Sequence, residues 1–149
     1  MHIPIKVDYG VRALVDIALH SEGGPVQAAQ IARRMAIPEP YLAQVLRALR
    51  THNMLRSQRG PQGGHSLAMD PSEIHLSDVM ACLAGAETLV ACLEDTDICV
   101  HAPACAQREV WRDVARAVYD ILGSTSIADL VARTREIDAA RELTFTGAR

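Results

Sequence analysis

Ile37-Pro38 separates two stretches whose apolar residues recur at helical spacing, and this break constrains the fold more than any other feature of the chain. Proline disfavours helical backbone at the residue before it, so a short helix carrying Ala28, Ile31, Ala32 and Met35 has to end there. A new helix follows, with Leu42, Val45, Leu46 and Leu49 facing inward and Tyr41, Gln44, Arg47 and Arg50 left outside. Two helices joined by a three- or four-residue turn, the second with a basic outer face, make a helix-turn-helix. Upstream, Val7, Val11, Leu14, Val15, Ala18 and Leu19 predict a helix over residues 6–20, interrupted in its apolar pattern by Asp16 and broken by Ser21-Glu22-Gly23-Gly24-Pro25.

Downstream, two alternating runs, Met54–Gln58 and His65–Met69, flank Arg59-Gly60-Pro61-Gln62-Gly63-Gly64. That arrangement predicts a β-hairpin, and a hairpin directly after a helix-turn-helix is a wing. Gly63 and Gly64 allow the tip to lie close to a phosphate backbone, while Ser57 and Arg59 stand at its base, where Arg59 can enter a minor groove. The charge distribution agrees. Residues 1–66 hold eight Lys/Arg against four acids, a net of +4, which leaves −7 for the remainder of a chain whose total is −3. One half is suited to a polyanion such as double-stranded DNA, and Arg33 and Arg47 are the candidate phosphate contacts.

Aromatic residues make up only 3% of the 149 positions, so the core has to be built from aliphatic side chains and alanine, which favours packed helices. Ile74, Leu76, Val79, Met80 and Leu83 predict a short helix ending at Gly85. Val110, Val114, Ala117, Val118 and Ile121 mark a long one up to Gly123. Ser126-x-x-Asp129 resembles a capping box and opens a last short helix to about Arg133, and the polar segment from Arg135 to Arg149 is expected to fray. The expected fold is mainly α: a winged helix-turn-helix domain (1–70), a loop and further helices (71–134) and a flexible tail (135–149). The N-terminus lacks the apolar core of a signal peptide, and the longest uncharged apolar run, Val79 to Ala86, is far short of a membrane span. A cytoplasmic protein without a membrane partner is expected.

Cys92, Cys99 and Cys105, with six and five residues between them, lie in a segment without periodicity. Structural disulfides are rare in the cytoplasm, and soft thiolates on one irregular loop favour zinc or an iron–sulfur cluster. Glu94, Asp95 and Asp97 repel a metal-free thiolate cluster, so the loop is expected to order on metal binding. Cys82, inside Met80-Ala81-Cys82-Leu83-Ala84, reads instead as a small buried hydrophobe. No enzyme constellation is present: the Gly60–Gly64 stretch opens into a strand, unlike a phosphate-binding loop, and His20, His52 and His75 fall in separate elements.

Four segments in order carry a resemblance to the IscR/NsrR/RirA group of bacterial winged-helix regulators: Asp8-Tyr9-Gly10-Val11-Arg12-Ala13-Leu14, Tyr41 through Leu49, Arg59 through Gly64, and Cys92…Cys99…Cys105 before a Trp-bearing helix. The resemblance covers Lys6 to about Val131. It implies a homodimer in which the long helix, about 105–122, pairs with its symmetry mate and carries two winged helices onto a pseudo-palindromic operator. It also implies an iron–sulfur cluster, with 4Fe–4S preferred and 2Fe–2S as the alternative, that senses iron supply, redox state or nitric oxide. Asp8 matches the position from which NsrR-like relatives supply a carboxylate ligand, and His101 is the alternative fourth ligand. The chain departs from the group in three places: Ala43 stands where some relatives carry an acid, His65 where the wing usually continues with an aromatic residue, and Arg108 where an IscR-type histidine ligand would lie. Control of cluster-assembly or iron-homeostasis genes, a dedicated nitric-oxide-sensing repressor, and a dimeric DNA-binding module with structural zinc or no metal are the competing functions.

Overall fold

The computed structural model describes residues 3–85 and 90–146, with side chains through Arg141. Helix α1 (Ile5–His20) is the central element: α2 (Ala28–Met35), α3 (Glu39–Thr51), α4 (Leu76–Ala84) and the last helix, α6 (Ile127–Thr146), all pack against it. Its buried face is formed by Val7, Gly10, Ala13, Leu14 and Ile17. Gly10 marks the closest approach, since a Cβ there would collide with Leu83 of α4 and meet Val79 of α4 and Val45 of α3 as well. Glycine is therefore a packing requirement where α1, α3 and α4 converge.

The helix-turn-helix forms as the Ile37-Pro38 break requires. Ala36 turns the chain in a left-handed conformation (φ 52°), Ile37 is buried, and Pro38 precedes the first residue of α3. Leu42, Val45, Leu46 and Leu49 are buried as expected from their spacing. Strands β1 (Leu55–Gln58) and β2 (Gly64–Leu67) pair antiparallel with Leu55 opposite Leu67 and Gln58 opposite Gly64. The wing is not free-standing. Val26 and His65 exchange two backbone hydrogen bonds of 2.8 Å, which ties β2 to the segment entering α2.

The core continues across residue 70. Ile74, Val79, Leu83, Ile127 and Val131 join the side chains of α1 to α3 in one apolar cluster. The Ser126–Asp129 cap forms as read: Ser126 donates to Asp129 Oδ2 through N (2.8 Å) and Oγ (2.6 Å), and these bonds hold the Asp129 carboxyl below its ordinary range. The helix it opens does not stop near Arg133. Helix α6 runs through Thr146, so much of the segment expected to fray is helical. Apolar periodicity fades after Val131, but Ala139, Ala140, Arg141, Glu142 and Leu143 are strong helix formers without Gly or Pro among them. Arg133 adds an i,i+3 ion pair with Glu136 at 2.8 Å.

Helix α5 (Ala106–Ser124) contrasts with the others, because none of its residues is buried. Val110 is 58% and Ile121 65% exposed, and Trp111, Val114 and Tyr119 are exposed too. The apolar spacing that could have served an internal core instead leaves a bare face along this helix. No described helix is long and apolar enough to cross a membrane.

Candidate DNA face and thiol loop

The outer face of α3 presents Tyr41, Gln44 and Arg47, all exposed, with Arg50 one turn beyond Arg47. Arg33 is exposed on the last turn of α2, and Arg59 is exposed where β1 ends. Ser57 is exposed on β1, and its Oγ shares a 3.1 Å hydrogen bond with Nδ1 of His65 across the hairpin. Burial, together with the nearby Arg50 charge, lowers the pKa of His65, so its ring is held neutral within the wing. In the place of an aromatic residue, His65 thus links the two strands and, through its backbone, the segment before α2.

The wing glycines also have a role within the fold. Gly63 is buried, and a Cβ there would collide with the Gln58 carbonyl oxygen; a Cβ on Gly64 would strike the Val26 carbonyl. The glycine pair serves the close approach of the wing to its own backbone. Gly60, Pro61 and Gln62 form the exposed tip, with Gly60 in the left-handed region (φ 111°), and Pro61 O accepts from Gln27 Nε2 at 3.3 Å.

A pairing that sequence reasoning did not supply supports this face from behind. Asp16, 0% exposed on α1, accepts two hydrogen bonds of 2.7 Å from Nε and Nη2 of Arg34 on α2. This bidentate pair raises the Arg34 pKa further and fixes α2 against α1. The available signal was an acid on the core-facing side of an otherwise apolar helix, which demands a cation from a neighbouring element.

The thiols lie between α4 and α5. Cys92 sits in a one-turn 3-10 helix (Ala91–Leu93), Cys99 in the following loop, and Cys105 immediately before α5. All three are half-buried and none is in a disulfide. Asp95 Oδ1 accepts from Asp97 N at 2.9 Å, and Ala102 N donates to Cys99 O at 3.0 Å, so local turns shape the loop. Arg108, standing where an IscR-type histidine ligand would lie, donates from Nε to Cys92 O at 2.9 Å and ties the loop to α5. Asp8 forms a 2.7 Å ion pair with Arg12, and His101 is exposed. Among the described residues, no group of three or more His, Cys, Asp or Glu side chains converges on one point. The structure therefore places the three cysteines on one loop but does not bring them together with Asp8 or His101. Cys82 packs against the core, where burial pushes its thiol pKa up, in keeping with an inert side chain.

Comparison with known proteins follows this geometry. Residues 3–133 match a family model described as Rrf2, iron-dependent transcriptional regulator. The HTH-type transcriptional regulator IscR of Xenorhabdus nematophila is 33% identical over 140 residues, 94% of this chain and 85% of that protein. Protein rrf2 of Nitratidesulfovibrio vulgaris is 34% identical over 131 residues, covering 88% and 87%. Among solved structures, IscR of T. potens is similar with a TM-score of 0.76 and 31% identity, covering 92% of this chain and 90% of that one. CymR, the global cysteine regulator of B. subtilis, has the same TM-score and identity, with 89% and 98% covered.

Proposed function

The chain belongs to the Rrf2 family of transcriptional regulators, and from that premise we propose a homodimeric DNA-binding regulator whose operator affinity is set by an iron–sulfur cluster on the loop of residues 91–105. One observation supports this most: three half-buried thiols lie in the segment that leads from α4, packed beneath the recognition helix, to α5, whose apolar face is bare. An uncovered stripe holding Val110, Trp111, Val114 and Ile121 suits a second copy of the same helix.

The donor set fits the group in chemistry. Three thiolates suit iron, and a carboxylate or imidazole is a weaker fourth donor. Cys92, Cys99 and Cys105 would hold it, with Asp8 of the second subunit as the fourth ligand and His101 as the alternative. A 4Fe–4S centre is preferred over 2Fe–2S. When bound, the cluster supplies a centre that oxygen, nitric oxide or iron shortage can destroy. The chain's own residues transmit the change. Arg108 couples the loop backbone to α5, and α4 meets α1 and α3 at Gly10, so a loop that orders or relaxes shifts the support of the recognition helix. Asp8 has to leave Arg12 to serve as a ligand, which makes the ion pair a competitor for that carboxylate.

On this reading the regulator controls iron–sulfur assembly or iron-homeostasis genes, and a nitric-oxide-sensing repressor is the variant with the same ligands. The likeness to a cysteine regulator, with thiols that do not converge among the described residues, favours one second reading: a dimeric DNA-binding module with structural zinc or no metal.

The DNA face is tested by substitution. Tyr41, Gln44 and Arg47 would meet the major groove, with Ser57, Arg59 and the wing backbone around Gly63 and Gly64 against the adjoining backbone and minor groove. Arg59→Ala is expected to weaken operator binding by about 1–3 kcal/mol as a groove contact. Arg33→Ala and Arg47→Ala, as phosphate contacts, should lower affinity for all duplexes and reduce the salt slope by about one charge each. Equal operator affinity in all three variants, measured by fluorescence anisotropy across salt, would remove this face from DNA binding.

A further inference from the structure

Four acids lie in the basic half of the chain, and two of them are paired by the fold. Asp8 pairs with Arg12 and Asp16 is buried against Arg34, while Glu22 is exposed in the 3-10 turn that closes α1. Glu39 differs from all three in lying on the helix read here as the recognition helix. It occupies the first turn of α3, is exposed, and its carboxylate has neither a hydrogen bond nor an ion pair among the described residues. The residue one turn along on the same row is Ala43, which cannot pair with it, and Leu42 beside it is buried. Arg47, two turns away, stands about 12 Å along the axis.

The N-terminal residues of a recognition helix are those that meet base edges in the major groove. A bare carboxylate carried there is repelled by the phosphates on both sides, so it weakens binding to every duplex unless a base amino group donates to it. Two bases offer such a group. Adenine places its N6 amino beside the N7 acceptor, which repels a carboxylate, whereas cytosine offers an N4 donor without that neighbour. We propose that Glu39 is a specificity-determining residue of this chain, accepting a hydrogen bond from the N4 amino group of a cytosine in each operator half-site. The proposal rests on the DNA-reading assignment of α3 given above.

The test is selection from a randomised duplex library with the full chain purified without air, comparing wild type with Glu39→Ala and Glu39→Gln. The wild type should enrich a motif with a C·G pair at one fixed place in each half. Glu39→Ala should lose about tenfold preference at that pair only, while its affinity for unrelated duplexes rises because a repelled charge is gone. Glu39→Gln should move the preference towards A·T, since an amide both donates and accepts. If Glu39→Ala enriches the wild-type motif unchanged, the proposal is overturned and the DNA-reading assignment stands. If the wild type enriches no motif, both fall. A loss of thermal stability in Glu39→Ala with unaltered base preference would show that the carboxylate serves only the helix dipole, and would also overturn the proposal.

Discussion

Replacing Arg34 with alanine is expected to destabilise the folded chain by about 3 kcal/mol, because it strands the Asp16 carboxylate in the core. Asp16 is 0% exposed and takes both its charged hydrogen bonds from this one guanidinium. His20 lies 3.4 Å from the same carboxylate, but it is a weak substitute, since its Nδ1 is 2.7 Å from the Asp16 carbonyl oxygen instead. The figure is the lower end of the range for broken buried pairs, because the Arg34 side chain is itself 33% exposed and part of its charge is already hydrated. Asp16→Asn should cost less, since the freed guanidinium can turn to water. The double change Asp16→Leu with Arg34→Met should cost less than Arg34→Ala alone, as apolar replacement of both partners removes the stranded charge. Urea unfolding at constant m measures all three. A loss under about 1 kcal/mol for Arg34→Ala would mean that water reaches Asp16 and the pair is a surface one.

The second large effect concerns the thiols. Alanine at Cys92, Cys99 or Cys105 should each abolish cluster retention, because two thiolates and an oxygen donor cannot hold the iron. Cys82→Ala should retain the cluster and lose only the packing of a small side chain that is already against the core. Asp8→Ala should give a cluster that assembles and then bleaches faster in air, and His101→Ala should behave like wild type. Decay of visible absorbance in each purified variant ranks them. Rapid loss in His101→Ala, with Asp8→Ala unchanged, would transfer the fourth ligand to His101 and favour a 2Fe–2S centre. A bleached Cys82→Ala beside an intact Cys92→Ala would refute the three-cysteine loop.

The helix-turn-helix was legible because its signals are local. Proline sets the break, and the spacing of Leu42, Val45, Leu46 and Leu49 sets the buried face of α3. The hairpin position was equally plain from its turn residues. Three things were not legible, two because they depend on tertiary contacts and one because its signal is propensity and not periodicity. The partner of Asp16 comes from another helix. The packing role of Gly63 and Gly64 is fixed by the carbonyls of Gln58 and of Val26, the latter far back in the chain, a contact that the sequence pattern does not show. The length of α6 rests on helix propensity after the apolar stripe has faded, a signal that periodicity does not carry. For the cysteines, sequence spacing identified one loop, which also holds His101, and the placement of its thiols relative to one another and to Asp8 is a matter of geometry that spacing cannot express.

The central claim, a DNA-binding regulator governed by an iron–sulfur cluster on its thiol loop, is tested most directly by counting iron and acid-labile sulfide in the full chain purified without air. The account predicts a brown protein with iron and sulfide in equal amounts, both lost when any one of Cys92, Cys99 and Cys105 is replaced. A colourless protein that carries zinc, or no metal, and binds its operator equally well with or without added iron and sulfide would contradict it.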